Sequence, residues 1–169
     1  MLTSVNERLR QFLQQHDVSF DLTRHEPVYT SEQAALVRGT SLASGAKALV
    51  CKTDDRFVLF VLRADMRLAS KAIRKQKSIR SFRFASRQEV ERLTGLMPGS
   101  IPPFGSLFQL PTCCDQLLID QPRINFNAGD HAISISMESP ARWPLRSLIC
   151  LKLKLKMKLK PKLNSLSFD

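Results

Sequence analysis

Val5, Leu9, Phe12 and Leu13 recur at helical spacing, with Glu7, Arg8, Arg10 and Gln11 on the other side. The chain therefore opens with an amphipathic helix, capped by Thr3 or Ser4 and ended at His16-Asp17. The period then changes. Val18, Phe20 and Leu22 alternate with Ser19, Asp21 and Thr23, the pattern of a strand with one buried face. Thr30 or Ser31 caps a second helix that carries Ala34, Ala35, Leu36 and Val37 and stops at Gly39. Residues 46–52 and 56–63 are β-rich runs around Thr53-Asp54-Asp55, which predicts a hairpin. The second run is apolar on both faces from Phe57 through Leu62 and is expected to lie inside a sheet.

Residues 70–77 read as a short basic helix and 82–84 as a short strand. Ser86 and Glu89 form a capping box for a helix over 87–94, which Gly95 ends. Residues 98–105 hold three prolines and two glycines, so they form a rigid loop. Three further strands are predicted at 117–120, 124–127 and 132–137. Helices and strands mix without a βαβ period. The expected architecture is α+β: a single domain with a mixed, barrel-like sheet flanked by short helices.

The pattern changes again after Ser139. Pro140 and Pro144 interrupt it, and residues 151–160 then alternate strictly between Leu or Met and Lys. As a strand this segment is amphipathic; as a helix it has no coherent face. The expected division is a domain over residues 1–139 and a basic Leu/Lys low-complexity tail, disordered, over 140–169. That composition suits a solvated extension, an anionic membrane surface or RNA.

The whole chain has 169 residues, enough to bury a core without disulfide or metal staples. Its net charge is +11, and nearly half of it comes from the end, where residues 151–169 set six lysines against one aspartate. The rest is still basic, which is compatible with a polyanionic partner. Cys51, Cys113, Cys114 and Cys150 include no C-x-x-C pair, so free thiols in a reducing compartment are expected. His16, His25 and His131 are not at metal-ligand spacing, so neither a metal nor a cofactor is expected. Residues 1–14 lack a signal-like apolar stretch and no run is long enough to span a membrane, which makes the cytoplasm the expected location.

No G-x-S-x-G, H-E-x-x-H, P-loop or G-x-G-x-x-G is present. Three segments could still carry chemistry. The loop over 98–105 suits a pocket wall whose backbone N–H groups face a carbonyl or phosphate, or it is a stiff surface turn. Lys47, in Gly45-Ala46-Lys47-Ala48-Leu49-Val50, is a solvated strand end or a cation aimed into a cleft. His131, after Asn127-Ala128-Gly129-Asp130, is a structural histidine or a proton carrier beside a bend.

Taken in order, these segments resemble a family. His25-Glu26-Pro27-Val28-Tyr29-Thr30, then Gly45 to Val50, is similar to the opening of the YbaK/ProX domain. Arg63-Ala64-Asp65-Met66-Arg67-Leu68 looks like its next strand end and turn. Phe84-Ala85-Ser86, Glu89-Val90 and Leu93-Thr94-Gly95 resemble the helix leading into its glycine–proline loop, here Gly99-Ser100-Ile101-Pro102-Pro103-Phe104-Gly105. Phe126-Asn127-Ala128-Gly129, with Ile133 and Ile135, resembles its closing strands.

The resemblance implies the fold of that domain and a trans-editing aminoacyl-tRNA deacylase, with no cofactor. Its substrate would be tRNA-Pro carrying a small wrong amino acid such as Ala or Cys. The aminoacylated 3′ end of tRNA would be its partner, with prolyl-tRNA synthetase as a further one and no integral membrane association. A catalytically silent tRNA-binding or synthetase-associated module is the alternative. Lys47, Gly99 and Ser100 would carry the catalysis. Pro102, Pro103, Phe104, Gly129, His131 and His25 would bind substrate. The chain departs from the family after Ser139, where the usual closing helix has no counterpart.

Overall fold

A computed structural model of the protein describes residues 3–139 and the strand Met157–Leu159. Helix α1 (Val5–Gln15) starts where Ser4 accepts from the Glu7 N–H and the Glu7 carboxylate accepts from the Ser4 N–H, the reciprocal pair of a capping box. Strand β1 (Phe20–Arg24) begins two residues later than the alternation predicts. The Val18 N–H instead closes the helix end on the Leu13 carbonyl.

Helix α2 (Ser31–Arg38) has a capping box from Thr30 and Gln33 and ends on Gly39 at φ +64. Strands β2 (Ala46–Thr53) and β3 (Arg56–Arg63) form the expected hairpin, in register from Thr53↔Arg56 to Ala46↔Arg63. Then come β4 (Met66–Leu68), α3 (Ser70–Lys77), β5 (Phe82–Phe84) and α4 (Arg87–Thr94). Ser86 and Glu89 cap α4 as the sequence predicts. After the proline loop come a 3-10 turn (Gly105–Phe108), β6 (Thr112–Cys114), α5 (Gln116–Ile119), β7 (Arg123–Asp130), β8 (Ile133–Glu138) and β9 (Met157–Leu159).

Two expectations do not hold. Residues 117–120 are predicted as strand, yet residues 117–119 belong to α5 and Asp120 is its C-cap. The Asp115 side chain accepts from the Leu117 N–H and caps a helical turn, which sends the consecutive residues Leu118 and Ile119 to the same core. The second concerns the sheet. One sheet has the order β1-β8-β7 and another β5-β2-β3-β6. They meet through a single parallel bridge, Gly45↔Asn125, and neither closes on itself. The domain is a mixed α+β fold, and the barrel-like sheet is not found among the described residues. The interior position expected for β3 is observed, between β2 and the parallel strand β6.

The main core lies between the two sheets and α1, where Leu9, Leu13, Leu59, Val61, Phe104, Phe126, Ile135 and Met137 are buried. Each such side chain contributes about 1.5–3 kcal/mol on leaving water. Val58, Phe60, Ile73, Cys51 and Cys113 form a smaller core beneath α3. Burial pushes the Cys51 thiol up to about 12, so it acts as a small apolar filler.

Strand β9 pairs antiparallel with β4, Met66 facing Leu159, Arg67 facing Lys158 and Leu68 facing Met157. The expectation of a disordered tail otherwise falls on residues 140–156 and 160–169, which lie outside the described residues, as does Cys150. No helix among the described residues is long and apolar enough to cross a membrane.

Candidate active site

The proline loop, the start of β2 and the end of α2 converge on a cleft of about 190 Å³. Arg38, Thr40, Lys47, Ala64, Gly99 and Asn127 line it. A larger hollow of about 660 Å³ opens at the β2–β3 turn beside α3, and none of the predicted site residues line it.

Lys47 is the second residue of β2 and half-buried. Its Nζ donates to the Ala64 carbonyl at 3.3 Å and to the Met66 carbonyl. The turn between β3 and β4 therefore fixes where this charge sits at the cleft wall. Its backbone pairing partner is Leu62, so the hairpin register sets the position.

Gly99 has φ +91, a conformation that side chains rarely adopt. Two carbonyls of its loop are tied to β7. The Asn127 Nδ2–H donates to the Gly99 carbonyl at 2.8 Å, and the Gly129 N–H donates to the Ser100 carbonyl at 2.9 Å. Ser100 is 3% exposed, and both its N–H and its hydroxyl donate to the Met97 carbonyl, at 3.2 and 2.8 Å. The Gly99 N–H makes no hydrogen bond among the described residues.

The chain then turns inward. Pro102, Pro103 and Phe104 are buried and do not line the cleft. The Phe104 ring packs 5.3 Å from Phe12 and 5.6 Å from Phe126. The proline pair thus anchors the loop in the core beneath the cleft. Gly129, at φ +84, sits in a bulge of β7 and acts on the loop through its N–H.

His131 lies against Gly99 and under the Tyr29 ring, at 4.8 Å between centroids. Its Nδ1 contacts the Val28 carbonyl at 2.9 Å. A carbonyl only accepts, so Nδ1 carries a proton, and His131 is not among the residues that line the cleft. His25 lies outside the cleft lining. Its Nδ1 meets the Glu26 carbonyl at 2.7 Å and its Nε2 the Ser134 hydroxyl at 2.6 Å.

Two cleft residues carry no signal in the sequence. Arg38 ends α2, where any basic residue complements the helix dipole and draws no notice. In the fold its Nε donates to Ser134 Oγ at 2.7 Å and its Nη2 to Asn127 Oδ1 at 2.5 Å. It forms no salt bridge among the described residues, and burial lowers its guanidinium to about 10. The Thr40 hydroxyl is buried without a hydrogen-bond partner among the described residues. Among those residues no group of three His, Cys, Asp or Glu side chains is placed to hold a metal.

Comparison with known proteins bears on this cleft. A model of the family described as the aminoacyl-tRNA editing domain matches residues 25–142. The multifunctional Ser/Thr-tRNA deacylase ProXp-y of Escherichia coli K12 is 36% identical over 129 residues, covering 73% of this chain and 77% of that protein. The proline–tRNA ligase of Bacillus licheniformis is 34% identical over 82 residues, 48% of this chain and 14% of the ligase. The crystal structure of a candidate trans-editing enzyme for prolyl tRNA synthetase superposes with a TM-score of 0.75 at 22% identity, over 92% of this chain and 98% of that one. That likeness concerns the fold.

Proposed function

The chain belongs to the aminoacyl-tRNA editing domain family, and we propose that it acts in trans to hydrolyse the ester of tRNA mischarged with serine or threonine. The observation that carries the reading is the cleft itself. Lys47, anchored on two backbone carbonyls, Gly99, with an unused N–H, and Thr40, with an unpaired hydroxyl, all line a cleft of about 190 Å³. That space suits a small amino-acid side chain. The unpaired Thr40 hydroxyl favours a substrate with a hydroxyl of its own, because a site built for a hydrogen bond discriminates against an analogue lacking it.

The reaction asks little of the protein. Water adds to the ester carbonyl carbon, the bond to the ribose oxygen breaks, and the ribose hydroxyl leaves with a proton. An aminoacyl ester is already activated, so orientation supplies much of the rate. The Gly99 N–H is the donor assigned to the developing oxyanion, a role worth about 3 kcal/mol where such donors have been removed. Both Ser100 donors are already engaged with Met97, which favours Gly99 for this role. Lys47 would hold the polar 3′ end of the tRNA. His131 is not among the residues that line the cleft and packs behind Gly99, so it supports the loop rather than touching the water.

The partial match to a proline–tRNA ligase favours a second reading, alanine or cysteine on tRNA-Pro with the synthetase as partner. One panel separates these readings. Ser-, Thr-, Ala- and Cys-tRNA are incubated with the protein and with Lys47→Ala. Release from Ser- and Thr-tRNA, lost by about 100-fold or more in the variant with its circular dichroism unchanged, supports the proposal. Salt-sensitive tRNA binding without release of any amino acid would instead make the chain a silent tRNA-binding module.

A further inference from the structure

Five groups at and beside the cleft form one hydrogen-bonded chain, of which the deacylase reading uses only Gly99. The order is His25, Ser134, Arg38, Asn127 and the Gly99 carbonyl. Its direction follows from which groups can only donate and which can only accept. Arg38 only donates, so Ser134 Oγ and Asn127 Oδ1 accept from it. Asn127 must then present Nδ2 to Gly99, whose carbonyl only accepts. At the other end the Glu26 carbonyl accepts from Nδ1 of His25, and Nε2 of that ring meets the Ser134 hydroxyl. Asn127 both accepts and donates, and no polarity conflict arises along the chain.

We infer that Arg38 is a positioning residue, which orients the Gly99–Ser100 peptide through Asn127 for the reaction proposed above. The cation in the middle of the chain polarises the Asn127 amide and strengthens its N–H toward the Gly99 carbonyl. With that carbonyl held toward β7, the N–H of the same peptide is directed to Met97. The peptide is thus held at both ends, and Gly99 stays at φ +91 with its own N–H unused. Arg38 reaches this loop from α2, so seating of the helix on β7 and β8 is coupled to loop geometry. His25 belongs to the same chain and, on this account, steadies Ser134 rather than touching substrate.

Asn127→Asp tests the link. It keeps volume and an acceptor for Arg38 but removes the donor to Gly99. Arg38→Met cuts the chain one step earlier. In both, kcat on the best aminoacyl-tRNA is expected to fall about 10–100-fold, the scale of a small misplacement. KM should stay within about threefold, because substrate contacts are not removed. The double variant should lose no more than the worse single one, as members of one chain do. Arg38→Lys, which keeps one charged donor, should recover part of the loss. Amide hydrogen exchange at Ser100 should quicken in Asn127→Asp and Arg38→Met relative to the core of β3.

A wild-type kcat with wild-type Ser100 exchange in Asn127→Asp would overturn the inference. So would a raised KM with intact kcat in Arg38→Met, which would make Arg38 a substrate contact. Should the wild-type protein release no amino acid, the proposed function fails, and the exchange measurement still decides the relay. Faster Ser100 exchange in Arg38→Met sustains it, and unchanged exchange overturns it.

Discussion

Gly99 packs against the imidazole of His131 so closely that a Cβ added there would lie 3.1 Å from Cε1 and 3.9 Å from Nδ1. The backbone at φ +91 adds a second penalty for any side chain. Gly99→Ala must therefore displace His131 or the loop. It is expected to cost about 1–2 kcal/mol of stability. It is also expected to slow deacylation by at least about 10-fold. Urea melts and Ser-tRNA turnover read the two effects separately. A variant with the wild-type midpoint and rate would show that the loop has room the fold does not display.

Thr40 offers a test of selectivity. Its hydroxyl is buried without a partner among the described residues, and Thr40 is among the residues that line the cleft. Thr40→Val keeps the shape and removes the hydroxyl. An unsatisfied buried hydroxyl costs about 1–3 kcal/mol, so stability is expected to rise or hold. Selectivity for Ser-tRNA over Ala-tRNA is expected to fall by about 10-fold. Competition between the two charged tRNAs measures it, and an unchanged ratio would remove Thr40 from the specificity site.

The helices with capping boxes are legible in the residues themselves. Ser4 with Glu7, Thr30 with Gln33, and Ser86 with Glu89 each place a helix start by local chemistry alone. The β2–β3 hairpin is legible for the same reason, since its turn and its alternation are local. Residues 112–119 are not. Thr112–Cys114 is too short to display a period, and the apolar pair Leu118 and Ile119 reads equally as strand or helix until the Asp115 cap is seen. In the candidate site, Lys47 and Gly99 draw notice by their setting in the chain. Arg38 does not, because its meaning depends on Asn127 and Ser134, about ninety residues away. Pro102, Pro103 and Phe104 show the converse. They are conspicuous in sequence, yet they serve the core under the loop.

Glu89 makes the acid behaviour of α4 predictable. Two bonds from the Arg83 guanidinium, and then the Ser86 N–H, hold its carboxyl down from 4.5 to about 2. The folded value lies below the unfolded one. Its contribution is therefore complete above about pH 4.5 and is lost as pH falls toward about 2. Carboxyl titration followed by NMR should find Glu89 ionised at pH 3.5, and Arg83→Ala should move its titration upward. Glu89→Gln should flatten the decline in stability across that interval. A Glu89 that titrates in the ordinary carboxylate range would show the pair to be open in solution.

Strand β9 sets Lys158 across from Arg67 in the β4 ladder, two cationic positions at one register point. β4 is also the strand whose Met66 carbonyl holds Lys47, and residues 151–169 carry six lysines. The lysine-rich segment that contains β9 is therefore expected to add to affinity for a polyanionic RNA. Deleting residues 140–169 should leave kcat within about twofold and raise KM several-fold at moderate salt. The slope of log affinity against log salt should fall by about 1 or more, since each lost phosphate contact removes roughly 0.7–0.9. An unchanged slope would exclude the tail from the RNA interface. Tail-dependent binding to anionic vesicles, with tRNA binding unaltered, would assign it to a membrane surface instead.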